Sequence, residues 1–290
     1  MFAGTFTAIV TPFKDGRVDE AAFKKLIRFG IEGGVTGFVP CGTTGESPAL
    51  SHAEHNSVVE LAVKEAAGQV KVIAGTGSNS TEEAIALTKH AKAVGADGAL
   101  MVSPYYNKPT QEGLYQHFKK VAEAVDIPIV VYNIQGRTAV NIENQTMERL
   151  AGIPNIVGVK EASGSILQMS EVIRLCGPGF AVLSGDDQMT FPLMALGGRG
   201  VVSVVTNIVP ERMCSLVNAM LAGEIDKARA MHFDLFELCQ AMFVETNPIP
   251  IKAALGLMGK IEPEFRLPLC PPSPTNLGKL KTVLEKYGIL

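Results

Sequence analysis

The 290-residue chain contains no tryptophan, and that absence alone excludes nothing. Its other absences say more. The five cysteines, Cys41, Cys176, Cys214, Cys239 and Cys270, are scattered, odd in number and form no Cys-x-x-Cys pair. This argues against a disulfide framework and against a structural zinc site. No apolar run approaches the roughly 18–20 residues of a membrane span. Residues 1–5 lack the basic start and long apolar stretch of a secretory signal. The net charge is −3, with no basic stripe and no acidic tail, so neither nucleic-acid nor anionic-membrane binding has compositional support. A glycine-rich nucleotide loop is missing too. The first apolar segment runs into Thr11-Pro12-Phe13-Lys14-Asp15-Gly16, which fits neither the dinucleotide nor the phosphate-loop pattern. The composition leads us to expect a soluble cytoplasmic protein. At 47% hydrophobic it is long enough for a large core.

What is present is an alternation. Short apolar segments at residues 6–10, 37–40, 70–74, 98–102, 128–132, 156–160, 181–183 and 200–204 have the length and β-branched content of buried strands. Between them lie amphipathic stretches. Residues 20–30 place Phe23, Leu26 and Ile27 on one face, followed by Ile31. Ser51 with Glu54 three residues on spells a capping box. Ser80 or Thr81 opens another helix, with Glu82 and Glu83 in its first turn, and residues 112–124 form the next. Eight strands alternating with helices predict a (β/α)8 TIM barrel, an α/β fold. The tail reads as helices at 211–222, 225–243, 248–258 and 276–287. We therefore expect a barrel over residues 1–224 and a C-terminal helical extension over 225–290.

In such a barrel the chemistry sits at the C-terminal ends of the strands. The sixth strand ends in Lys160. Either that side chain snorkels to solvent, or burial disfavours its ammonium form and leaves a neutral amine fit for Schiff-base chemistry. Other strand ends bring Cys41-Gly42-Thr43-Thr44-Gly45-Glu46-Ser47, Tyr105-Tyr106-Asn107, Tyr132-Asn133 with Arg137, and Ser184-Gly185-Asp186-Asp187 to the same mouth. Each has a plain alternative. The threonine segment is either an ordinary turn or an anion nest. Tyr132 is either a rim residue or a proton carrier beside the amine. Arg137 is either a surface residue or a bidentate carboxylate partner. Asp186-Asp187 reads as a helix cap. His52 and His55 straddle a helix start, one turn apart on an exposed face, and no metal site is expected.

Taken together, Gly42-Thr43-Thr44-Gly45-Glu46, Tyr105-Tyr106-Asn107, Tyr132-Asn133, Gly158-Val159-Lys160-Glu161 and Asn247-Pro248-Ile249-Pro250-Ile251-Lys252 follow one another in a familiar order. Nearly end to end, the chain resembles the 4-hydroxy-tetrahydrodipicolinate synthase (dihydrodipicolinate synthase) family of pyruvate-dependent class I aldolase-like enzymes. The resemblance implies a lyase that condenses pyruvate with L-aspartate 4-semialdehyde in the diaminopimelate route to L-lysine, without a cofactor. It implies that Lys160 forms the imine, that Tyr132 moves protons, and that Thr43 links Tyr132 to a Tyr106 from a neighbouring subunit. Thr44 would hold the pyruvate carboxylate and Arg137 the semialdehyde carboxylate, with Gly185 and Val202 lining the pocket. A homotetramer made of two tight dimers is implied as well.

A second set of positions matches the effector site of lysine-inhibited members: Ser47, His52, His55, Asn79, Glu83 and Tyr105. Feedback inhibition by L-lysine follows as an expectation. One segment departs from the family pattern. The family commonly carries proline two residues before the arginine and glycine two after it, where this chain has Gln135 and Ala139. If position 139 requires a positive φ, alanine costs roughly 1 kcal/mol relative to glycine. Related pyruvate-dependent aldolases of sugar acids, such as N-acetylneuraminate lyases, share the lysine and tyrosine. They usually lack the arginine, and often have serine for the first of the paired threonines. A non-catalytic barrel that binds small acids is the remaining alternative.

Overall fold

A computed structural model describes residues 2–290. Ten strands are present: β1 Gly4–Ala8, β2 Phe13–Lys14, β3 Arg17–Val18, β4 Gly37–Val39, β5 Lys71–Gly75, β6 Gly98–Val102, β7 Ile129–Asn133, β8 Ile156–Glu161, β9 Ala181–Ser184 and β10 Gly200–Ser203. Eight of them pair in parallel and close into a barrel in the order β1-β10-β9-β8-β7-β6-β5-β4. The fold is therefore the expected (β/α)8 barrel. The remaining two, β2 and β3, form a small antiparallel hairpin that was not anticipated. Its turn residues Asp15 and Gly16 have φ of +52° and +74°, the sign that a two-residue Asp-Gly hairpin turn requires.

The helices between strands are α1 Glu20–Glu32, α2 His52–Ala66, α3 Thr81–Ala93, α4 Gln111–Ala124, α5 Gln135–Thr138, α6 Asn144–Ala151, α7 Ile166–Cys176 and α8 Thr190–Ala195. After β10 come α9 Pro210–Leu221, α10 Ile225–Ala241, α11 Ile249–Leu257 and α12 Pro274–Lys286. Local chemistry explains several boundaries. Ser51 accepts from the Glu54 N–H while the Glu54 carboxylate accepts from the Ser51 N–H, completing the capping box of α2. Ser80 caps α3 by accepting from the Glu83 N–H. The seventh strand starts at Ile129 rather than at Pro128, because proline has no N–H to give to the ladder. The Ile129 N–H donates to the Asn155 carbonyl instead.

Side chains alternate between two apolar layers, as the period of two along a strand demands. Phe6, Ala8, Val39, Ile73, Leu100, Val130, Tyr132, Leu183 and Val202 fill the barrel interior. Val131, Val159 and Val182 face outward into the helix layer. Lys160 follows Val159 and so points inward. The C-terminal helices share the outer core: Leu235, Leu238, Ala254, Leu280 and Leu284 join the cluster that holds Phe23, Val59 and Val205.

A polar contact ties α11 to the mouth of the barrel. Lys252 Nζ lies 2.5 Å from Glu46 Oε1, and both side chains are fully buried. The Phe13 ring covers the ammonium at 4.2 Å. Burial lowers the Lys252 pKa, and Glu46 opposes that shift. Removing one partner strands the other charge in the interior. Lys252→Met is expected to lower stability by about 3–5 kcal/mol, and adding Glu46→Leu is expected to recover most of the loss. Urea unfolding of the single and double variants checks this.

Candidate active site

The barrel mouth is built around one amine. In the β7–β8 ladder Tyr132 stands opposite Lys160, and the Lys160 Nζ lies 4.1 Å from the centre of the Tyr132 ring. Lys160 is only 6% exposed. Among the described residues no carboxylate lies within ion-pair distance of it. Burial pulls its pKa down to about 7; Asp187 pulls the other way, and the Arg137 charge adds to the lowering. The neutral amine is therefore far more accessible near neutral pH than in an ordinary lysine. Burial also pushes the Tyr132 phenol up to about 12, against the Arg137 charge and a hydrogen bond with Thr43. Tyr132 at neutral pH is a proton donor, not a phenolate. The backbone packs closely here. A β-carbon at Gly185 would lie 2.7 Å from Ala162 Cβ and 3.1 Å from Lys160 Cε.

Asp186 and Asp187 separate in role. Asp186 caps the following turn by accepting from the Gln188 N–H at 2.9 Å, as the sequence suggests. Asp187 does not cap a helix. Its buried Oδ2 accepts from the Val204 and Val205 N–H groups at 3.0 Å each, and its Oδ1 has no partner. Burial raises its pKa to about 6. Pattern reasoning missed this residue because adjacent Asp residues at a strand end look alike until the chain turns and sends them to opposite sides.

The threonine segment follows β4. Thr43 lines the same cavity as Tyr132. Thr44 is buried, and its Oγ1 accepts from the Asn247 side-chain amide at 3.0 Å. The Thr11 hydroxyl donates to the Gly45 carbonyl at 2.7 Å, and Cys41 and Glu46 both adopt left-handed backbone. Arg137 sits on the one-turn helix α5 and donates from Nη2 to the Asn247 carbonyl at 3.1 Å. Ala139 ends α5 with φ +60°, so the conformation that favours glycine is in fact required there. Val202 lies in the barrel interior. Tyr106 does not join this group: it is 90% exposed, with φ +73°.

A cavity of about 410 Å³ runs outward from Thr43, Tyr132 and Arg137. Ser47, His52, His55, Glu83 and Tyr105 line the same space. Asn79 does not line it; it is half-buried, and its carbonyl accepts from the Asn107 amide. His52 is exposed as expected and lies 2.6 Å from Glu83. Glu83 also accepts from the Ser78 hydroxyl, the main reason its pKa is lowered. His55 departs from the exposed-face expectation. It is buried, its Nε2 lies 2.8 Å from the Gly75 carbonyl, and its Nδ1 has no partner. Burial lowers its pKa and raises that of Tyr105. Among the described residues no group of three or more His, Cys, Asp or Glu side chains could hold a metal ion.

Asn247 and Arg266 are polar residues whose roles sequence reasoning missed. Asn247 appeared only as part of a motif. Arg266 pairs with both oxygens of Glu54 and donates to the Ala49 and Gly16 carbonyls, so it pins the start of α2. No local pattern connects residues more than 200 positions apart.

The fold and this set of groups define a (β/α)8 barrel organised around a buried lysine amine. The chain belongs to the dihydrodipicolinate synthetase family, whose model matches residues 1–287. It is 59% identical, over the full length of both chains, to the 4-hydroxy-tetrahydrodipicolinate synthase of Syntrophus aciditrophicus. The crystal structure of the chloride-inhibited dihydrodipicolinate synthase of Acinetobacter baumannii complexed with pyruvate superposes with a TM-score of 0.98. That chain is 45% identical, and both chains are covered completely. The Cyanidioschyzon merolae DHDPS with lysine bound superposes with a TM-score of 0.96 at 40% identity, covering 100% of this chain and 99% of that one.

The backbone at Ala139 yields a direct test. Ala139→Gly relieves the left-handed strain and is expected to raise stability by about 0.5–1 kcal/mol, read as a shift in the denaturation midpoint. Ala139→Val is expected to shift it the other way.

Proposed function

We propose that this chain is a 4-hydroxy-tetrahydrodipicolinate synthase that joins pyruvate to L-aspartate 4-semialdehyde through an imine on Lys160. The observation that carries the proposal is the buried Lys160 amine, with a pKa near 7, held against a protonated phenol. The neutral amine attacks C2 of pyruvate, water leaves, and a carbon–nitrogen double bond forms. Loss of a methyl proton gives an enamine. The enamine carbon bonds to the aldehyde carbon, whose oxygen takes up a proton. The amine of the second substrate then adds to C2, closes the ring and displaces the lysine nitrogen. Tyr132 carries the protons of these steps. Thr44 holds the pyruvate carboxylate and Arg137 that of the semialdehyde.

Thr43 connects Tyr132 to a Tyr106 that reaches in from a second copy of the chain. The 90% exposure of Tyr106 suits a side chain that finds its partners on another subunit. The working assembly is a tetramer of two tight dimers. It operates in the cytoplasm, where five free cysteines stay reduced. No observation favours a sugar-acid aldolase or a non-catalytic barrel, and Arg137 and Thr43-Thr44 weigh against the former.

L-Lysine is the effector at Ser47, His52, His55, Asn79, Glu83 and Tyr105. Glu83, kept ionised by Ser78 and His52, pairs with the ammonium of lysine. The support is the cavity these residues share with Tyr132 and Arg137, except for Asn79, and the lysine-bound relative.

Borohydride with pyruvate is expected to leave a reduced pyruvyl adduct on Lys160, seen by mass spectrometry, and Lys160→Ala to leave none. Burial lowers the amine's pKa, so the neutral fraction grows as pH rises through about 7. The trapping rate should rise through the same window. Folded wild-type protein that forms no adduct removes the proposal. For the effector, turnover titrated with millimolar lysine is expected to fall. Glu83→Gln is expected to raise the half-inhibitory concentration about tenfold or more, the size of a lost charge-assisted hydrogen bond. A flat lysine response in the wild-type protein sinks the effector assignment.

A further inference from the structure

We propose that Asn247 is a positioning residue for the pyruvate site, and that it sets the direction in which the Thr44 hydroxyl gives its proton. This rests on the proposed function of the preceding section. Asn247 is 5% exposed and Thr44 3%. The Asn247 Nδ2 donates to Thr44 Oγ1 at 3.0 Å. A hydroxyl has one proton and two lone pairs. With an N–H already occupying one lone pair, the Thr44 proton must point elsewhere. Among the described residues no protein acceptor takes it. A carboxylate oxygen of the substrate is the acceptor that fits a donor held in this way.

Asn247 is itself held on two sides. Its carbonyl accepts from Arg137 Nη2 at 3.1 Å. Five residues on, Lys252 grips Glu46, two residues beyond Thr44. The segment from 247 to 252 thus grips the 44–46 segment at two points. Asn247 Oδ1 is buried without a partner, so the direction of the amide is the point the experiment must test. Both groups assigned to substrate carboxylates therefore lean on one residue, Thr44 on its side chain and Arg137 on its backbone.

That division makes the inference testable. Pyruvate half-saturation of borohydride trapping and KM for both substrates are measured in Asn247→Ala and Asn247→Asp. Asn247→Ala is expected to raise the pyruvate half-saturation about tenfold, as loss of a hydrogen bond that organises a charged contact does. Asn247→Asp is expected to raise it further, because a carboxylate captures the Thr44 proton and repels the substrate. The KM for the semialdehyde should stay within about twofold, since the carbonyl that holds Arg137 remains. In a Thr44→Val background, Asn247→Ala is expected to add less than about twofold. An Asn247→Asp enzyme with wild-type pyruvate affinity overturns the inference, because the amide would then be accepting from Thr44. A parallel rise in both KM values with a lowered melting temperature overturns it in favour of simple packing. Wild-type protein that traps no pyruvate overturns the underlying reading as well, whereas wild-type trapping with unchanged variants overturns this inference alone.

Discussion

An ammonium ion is expensive to remove from water, and the barrel mouth depends on that expense being left unrelieved at Lys160. The residue faces inward because Val159 before it faces outward. No carboxylate touches it. The one buried acid that favours its charge, Asp187, spends an oxygen on the Val204 and Val205 backbone and has its own pKa raised by burial. Arg137 adds a repulsive charge. The same guanidinium that is suited to gather substrate carboxylates thus also helps to keep the proton off the amine.

The second buried lysine shows how easily the outcome could differ. Lys252 is fully buried as well, yet Glu46 lies 2.5 Å away and aromatic rings cover it. A carboxylate in contact makes the charged form the useful one, and the pair becomes a strut between α11 and the threonine loop. Two residues of one type, both buried, differ in their surroundings: one keeps a contact partner and holds the structure, the other has none and its charged form is disfavoured. The unpaired state of Lys160 is the informative fact, more than its burial.

Much of this was legible in the chain before any coordinates. Apolar segments of strand length, capped helices and a lysine at a strand tip follow from periods of 2 and 3.6 and from side-chain chemistry within a few residues. The capping box at Ser51 and Glu54 is of this local kind, whereas the glycine-like demand at Ala139 follows only from the resemblance to the family pattern. The Asp15-Gly16 hairpin is legible too, because Asp-Gly is a two-residue hairpin turn signal. What could not be read are contacts made by the fold as a whole. Asp187 on the Val204 and Val205 backbone, His55 turning inward, Asn247 on Thr44 and Arg266 on Glu54 depend on where distant segments land. That His52, His55 and Glu83 share one cavity with Tyr132 and Arg137 is a property of the same sort.

The double grip on the threonine loop has a consequence in time as well as in space. Asn247 and Thr44 are 203 residues apart, Lys252 and Glu46 206, and Arg266 and Glu54 212. A ribosome releases the threonines early and the residues that hold them late. The barrel itself closes only when β10 pairs with β1, and Glu46 gains its Lys252 partner later still. Contacts of such long sequence separation cost loop-closure entropy before they stabilise the fold. The threonine loop is thus held by residues made more than 200 positions after it, and a nascent barrel stopped short of α11 would lack the Lys252 contact that holds Glu46.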